Sequence, residues 1–302
     1  MLLKSETLVQ AAGMPNKYNH LVFIRQHLTI TYLLCPMKKY LIVITALIFG
    51  CSTSRQQTNR AVTAQNLTAD GKLFAALFQQ RAAEYKALCL QAFNIAHLRV
   101  DEALLQPQSK PLAIVTDIDE TVLDNSAYDV KQSLQGKDYE QKSWEEWTGL
   151  AKADTIPGAL PFLKYAASKG IRIFYLTNRA EAERKGTLAN LVRFGFPDAV
   201  NENLILKQTV SSKESRRQAI AEKYTMIMLM GDNLADFSVL FDKKPTDERV
   251  KNTYTSAADF GKRFIVLPNP VYGDWEASVY QYNMKLKAAQ KDSVIRSVLK
   301  SY

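Results

Sequence analysis

From residue 112 onward the chain alternates short apolar runs with longer stretches of helix formers, and nothing else in the sequence restricts its fold as much. The runs lie at 112–115, 171–176, 204–206, 226–230 and 264–267 and, Arg172 aside, are continuously apolar. Strands read this way when both of their faces are buried. Helix-length segments between them rule out simple hairpins, so the pattern predicts an α/β fold: a mostly parallel sheet flanked by helices. Open sheets of this kind bind ligands beyond the carboxyl ends of their strands. The chemistry should therefore follow each run.

It does. The first run is followed by Asp117, Asp119, Thr121 and Asn125, the second by Thr177, Asn178 and Arg179, and the fourth by Gly231-Asp232-Asn233 with Asp236. The predicted sheet gathers four carboxylates on one rim, where they repel one another and raise each other's pKa unless a cation joins them. Oxygen-only ligands suit a hard ion, which predicts magnesium.

Other segments frame this rim. The stretch 126–157, polar and containing Trp144 and Trp147, is too long for a plain connection and predicts a small helical lid before the helix that starts near Pro157-Gly158. Residues 73–106 have apolar positions near helical spacing and predict one or two helices packed on the main domain. His97, on that stretch, is read as a packing residue.

The amino-terminal part is set apart. Met37-Lys38-Lys39, the apolar run 40–49 and a small-residue exit fit a signal peptide over 37–50, since the run is far short of the roughly 20 residues of a membrane-spanning helix. Its end, Ile-Phe-Gly-Cys, resembles a bacterial lipobox with Cys51 as the lipidated residue, although Phe49 departs from the small residue usual there. An anchor with an incidental Cys51 is the alternative. Residues 1–36 then form an upstream extension, 51–66 a polar tether and 67–302 the folded domain. These features predict an exported, cell-envelope protein attached to a lipid bilayer, with Ser52 permitting an outer-membrane destination.

With Cys35 upstream and Cys51 acylated, Cys89 has no disulfide partner and is expected to be buried. Residues 1–50 hold five Lys/Arg and one Glu, leaving 34 basic against 29 acidic side chains in the rest. That mild excess forms no basic block, so nucleic acid is not the expected partner.

In order, the stretches AIVTDIDETVLDNS, WEEWTGLAKADTIPGA, FYLTNR, Lys213 within SSKESR, GDNLADF and LPNPVYGDWE resemble the motif set of the haloacid dehalogenase superfamily. Within it they are most similar to the class C acid phosphatases and the lipoprotein e family of exported 5′-nucleotidases. The similarity extends from about Leu73 to the carboxyl terminus. It implies a Rossmann-like haloacid dehalogenase fold and a phosphatase of small monoesters such as nucleoside monophosphates. It also implies roles for single residues. Asp117 would be the nucleophile and Asp119 the acid and base. Magnesium would sit on the Asp117 and Asp232 side chains and the Asp119 carbonyl, with Asp236 holding a metal-bound water. Thr177 and Lys213, rather than Lys207, would bind the phosphoryl group, with Asn178 and Arg179 on the substrate. Tyr272 would stack on its ring, and Trp144, Trp147 and Tyr128 would complete an aromatic clamp, with a place in the lid's own core as the alternative for the two tryptophans. A phosphotransferase of the same fold and a surface lipoprotein that binds a haem-like ligand are the competing functions, and an oligomer is compatible with all three.

Overall fold

In the computed structural model, residues 66–302 are described, all within the compact unit Asn59–Tyr302. The signal peptide, Cys51, the upstream extension and the tether up to residue 65 lie outside the described residues.

Two helices, α1 (Leu67–Arg81) and α2 (Ala83–Leu104), precede the sheet and are separated only by the extended backbone of Ala82. The central strand β1 (Leu112–Thr116) is buried along its whole length. After it come the two-residue strand β2 (Leu123–Asp124), α3 (Ser126–Leu134), α4 (Gln141–Gly149), the two-residue strand β3 (Asp154–Thr155) and α5 (Ala159–Ser168). The remainder continues as β4 (Arg172–Leu176), α6 (Arg184–Phe194), β5 (Leu204–Ile205), α7 (Glu214–Lys223) and β6 (Thr225–Gly231). It closes with α8 (Thr246–Thr255), β7 (Phe264–Val266), α9 (Asp274–Val279) and α10 (Ala288–Val298).

Each apolar run is thus a strand, and the five pair in parallel in the order β5-β4-β1-β6-β7. Successive side chains on a strand point to opposite faces, so the runs feed two cores. Leu112, Ile114, Ile173, Tyr175, Met228, Met230 and Ile265 pack with α2 and α5 through Tyr85, Cys89, Phe93, Phe162 and Leu163. The intervening Ala113, Val115, Phe174, Leu176, Leu229 and Phe264 pack on the other face with Ile220 of α7 and Phe237. Cys89 is fully buried, and burial pushes its thiol up to about 11. His97 stacks on Tyr165 of α5 with ring centroids 3.7 Å apart.

The insertion between β1 and α5 holds α3 and α4, and its ends are joined by an antiparallel pairing of β2 with β3. This pairing was not anticipated from the sequence, because two residues carry no readable period. The insertion is held on both sides. Helix α1 packs along α3, so it lies on the lid, and α2 is the helix that meets the sheet. On the far side α4 abuts α6 at Gly186, where a Cβ would lie 2.4 Å from the Thr148 carbonyl oxygen. Among the described residues no helix is long and apolar enough to cross a membrane.

Candidate active site

The loop after β1 is fixed by its own hydrogen bonds. The Asp117 amide donates to the Met230 carbonyl at 2.9 Å, which prolongs the β1–β6 pairing and sets Asp117 at the sheet's carboxyl edge. Three residues on, Glu120 has φ of 55° and donates its amide to the Leu123 carbonyl at 2.8 Å. Such a left-handed residue costs on the order of 1 kcal/mol and persists where surrounding bonds determine it. Here the buried Glu120 carboxylate accepts from the Asn125 amide at 2.7 Å and from the Tyr272 hydroxyl.

Asp232 and Asp236 approach from β6. Gly231 makes this possible: a Cβ there would lie 2.3 Å from Oδ2 of Asp236. The turn is braced by Arg217, which donates to the Ala235 and Asp236 carbonyls at 3.0 and 2.8 Å, and Asp236 Oδ2 accepts the Asn233 amide at 3.1 Å. Asp232 accepts from Asn269 at 2.8 Å and from Thr121 at 3.4 Å.

Oxygens of Asp117, Asp232 and Asp236 all lie within 4.8 Å of one another. One cation faces them. Lys213, buried just before α7, donates to Asp117 and, at 2.6 Å, pairs with Asp236. Burial opposes its ammonium, but the two aspartates outweigh burial and hold Lys213 above its ordinary range. The carboxylates remain under-compensated. Burial first, and then Asp236 and Asp119 against the pull of Lys213, push Asp117 up to about 7. Burial, Asp236 and Asp117 likewise raise Asp232 well above its ordinary value. Three recessed carboxylates with one ammonium leave a net negative site made only of oxygen donors, which fits a hard divalent cation. Asp236 stands among these carboxylates as a Lys213 partner.

Asp119 points away from that cluster. Arg179 embraces it, with Nη2 to Oδ1 at 2.7 Å and Nε at 3.1 Å, and Asn125 Nδ2 adds a bond of 2.9 Å. Arg179 was placed on the substrate by resemblance. Its guanidinium bonds Asp119 and, at 2.9 Å, Thr187, and Arg179 is also a wall of the cavity. Thr177 is fully buried; its hydroxyl accepts the Arg179 amide at 3.1 Å and keeps its own proton to donate. Asn178 is exposed on the rim and accepts from Arg216 at 2.7 Å. Lys207 bonds the Arg179 carbonyl through its amide and is not a wall of the cavity, whereas Lys213 is.

The cavity has a volume of about 850 Å³, and its walls include Asp117, Asp119, Lys213, Asp232, Trp144 and Tyr272. Tyr128 and Trp144 meet edge to face at 5.1 Å, and the Tyr128 hydroxyl is 3.1 Å from Ser143, a bond internal to the lid. Trp147 is not a wall; its Nε1 donates to Asn125 at 2.9 Å and ties α4 to the aspartate loop. Three residues were assigned no role from the sequence: Glu120, which anchors Tyr272, Asn269, which orients Asp232, and Arg216, which holds Thr177 and Asn178. All three lay inside quoted motifs, and that was the only signal available.

Comparisons with known proteins agree with this geometry. The chain is 41% identical to a class C acid phosphatase from Bacillus anthracis, with a TM-score of 0.76 over 79% of this chain and all of that one. A second structure of the class C acid phosphatase from Bacillus anthracis, with tungstate bound, gives 40% identity and the same TM-score. It is also 25% identical over 166 residues to acid phosphatase 1 of Solanum lycopersicum and 27% identical over 163 residues to the stem 31 kDa glycoprotein of Glycine max. The matches span 57% of the length of each of these two relatives and about half of this chain. Residues 72–275 match the family described as HAD superfamily, subfamily IIIB (acid phosphatase), and the chain belongs to that family.

Proposed function

We propose that this chain is a magnesium-dependent acid phosphatase that hydrolyses small phosphomonoesters, nucleoside 5′-monophosphates among them, through an aspartyl-phosphate on Asp117. The observation that carries this reading is the pairing of Asp117, held by Lys213 among recessed carboxylates, with Asp119 two residues on and turned toward a different set of partners. The two carboxyls are thereby separated in task as well as in space.

A magnesium ion on the Asp117 and Asp232 carboxylates and the Asp119 carbonyl would supply charge neutralisation for the phosphoryl oxygens. In the first half-reaction an Asp117 oxygen attacks phosphorus, the bond from phosphorus to the ester oxygen breaks, and Asp119 passes a proton to the departing alkoxide. In the second, Asp119 takes a proton from a water whose oxygen attacks phosphorus, the bond to Asp117 breaks, and inorganic phosphate leaves. The Lys213 ammonium lies on Asp117 and so beside the oxygens of the group being transferred. Tungstate, the anion bound in the Bacillus anthracis structure, is a tetrahedral oxyanion like phosphate, which supports a phosphoryl-sized subsite here.

The carboxyl-edge site, the aromatic walls Trp144 and Tyr272, and the cavity's size suit a leaving group as large as a nucleoside. Export and lipid attachment at Cys51 belong to the same proposal and rest on the amino-terminal sequence. Phosphate release from p-nitrophenyl phosphate, titrated with magnesium and then with a chelator, tests the reading; a folded protein that releases no phosphate at any magnesium concentration overturns it.

A further inference from the structure

Asp119 is gripped unevenly. Its Oδ1 accepts from Nη2 of Arg179 at 2.7 Å, from Nε of Arg179 at 3.1 Å and from Nδ2 of Asn125 at 2.9 Å, whereas Oδ2 meets only that Nε, at 3.2 Å. An oxygen already accepting from three N–H donors has no room for a proton of its own. The proton for a leaving group therefore belongs on Oδ2, and Arg179 and Asn125 decide where that atom points.

Both of these holders are backed by one helix of the lid. Trp144 and Trp147 stand three residues apart on α4 and so share a face of it. The guanidinium carbon of Arg179 lies 5.7 Å from the centre of the Trp144 ring, and Trp147 Nε1 donates to Oδ1 of Asn125 at 2.9 Å. The second contact is the more decisive, because an indole N–H donates and never accepts. It takes the oxygen end of the fully buried Asn125 amide and leaves the NH2 end for Asp119 and, at 3.4 Å, for Glu120. Without that donor the Asn125 oxygen is buried and unmatched, and the amide is free to turn or to admit water. We propose that Trp147 is a positioning residue: through Asn125 it aims the proton-bearing oxygen of Asp119 at the departing alkoxide, so the lid takes part in the chemistry as well as in walling the cavity. This rests on the phosphatase reading above, in which Asp119 is the acid, and adds a residue of the lid to it.

The test uses two esters that each carry one aromatic ring and differ in their need for an acid. p-Nitrophenyl phosphate releases a stable phenolate readily, whereas benzyl phosphate must expel an alkoxide and depends on its protonation. Their kcat/KM values are compared, since these report formation of the phospho-enzyme and not its hydrolysis. In the full-length protein, Trp147→Phe should lower kcat/KM for benzyl phosphate about tenfold more than for p-nitrophenyl phosphate, a part of the roughly 10²–10⁴-fold that a positioned acid contributes. A benzothienyl analogue of tryptophan placed at position 147 keeps the fused ring and puts sulfur where the N–H was; it should show the same selective loss, and it carries the test if the phenylalanine variant misfolds. Adding Trp147→Phe to Asn125→Ala should bring no further selective loss, as expected of two residues in one relay. Equal losses on both esters, additive selective losses in the double variant, or a benzothienyl protein with the wild-type ratio overturn the relay and leave the phosphatase intact. A folded wild type that hydrolyses neither ester overturns both.

Discussion

Gly231→Ala tests how closely the site depends on its backbone. The added methyl would stand 2.3 Å from Oδ2 and 2.5 Å from Cβ of Asp236, where ordinary contact begins near 3.4 Å. Asp236 must retreat by roughly 1 Å, because the methyl is on a strand paired on both sides and has nowhere to go. That retreat stretches the 2.6 Å pair with Lys213 and the 3.1 Å bond from Asn233, while Arg217 keeps the backbone of the turn in place. Overpacking of this kind costs about 1–3 kcal/mol, and a displacement of about 1 Å at a reacting centre costs about 10²-fold in rate. We expect Tm to fall by several degrees and kcat/KM for p-nitrophenyl phosphate to fall about a hundredfold. Adding Asp236→Gly to Gly231→Ala removes all of the clashing side-chain atoms, Cβ included, so Tm should recover in part while activity does not. A single variant with wild-type Tm and activity within twofold would refute the reasoning.

Three further predictions are independent of that one. Asp117→Asn should abolish turnover while circular dichroism stays that of the wild type; near-normal turnover would reject Asp117 as the nucleophile. Arg179→Lys keeps the charge but loses the forked contact with Asp119, so kcat should fall at least about tenfold with little change in KM; an effect confined to KM would return Arg179 to the substrate. For the metal-free protein, Asp117 lies at about 7 when folded against an ordinary 3.8, so the unfolded chain ionises first and stability is lost as pH rises from about 4 to 7. At about 1.4 kcal/mol per pH unit the loss is on the order of 4 kcal/mol. Thermal unfolding in chelator should therefore weaken over that window and magnesium should restore most stability near pH 7, whereas a flat profile in chelator would contradict it.

Much of this architecture was legible in the sequence for a simple reason. A strand buried on both faces has no choice but to be apolar, so 112–115 and 226–230 announce themselves, and the sheet's polarity then decides that Asp117, Asp119 and Asp232 share an edge. What escaped is what depends on distance in space. The β2–β3 pair is two residues deep. The packing of α1 on α3 leaves no mark in either helix that names its partner. Arg179 follows its strand as a substrate ligand would, and only the fold reveals that Asp119 already occupies its guanidinium. Glu120 reads as one more acid in an acidic loop until Tyr272, 152 residues later, is seen to bond it.

The pairing of β2 with β3 sets the two ends of the helical insertion side by side. Chain leaving the scaffold there returns to almost the same point, so the length between costs the sheet little and grows only logarithmically in entropy. The insertion is therefore a cassette: α3 and α4 bring their own cavity walls, and a different pair of helices could be spliced in between 125 and 154 if it kept Asn125 on Asp119 and Glu120 and supplied the donor that Trp147 gives to Asn125. What such a graft would have to reproduce is the footing of α3 on α1 and the close seat of α4 at Gly186.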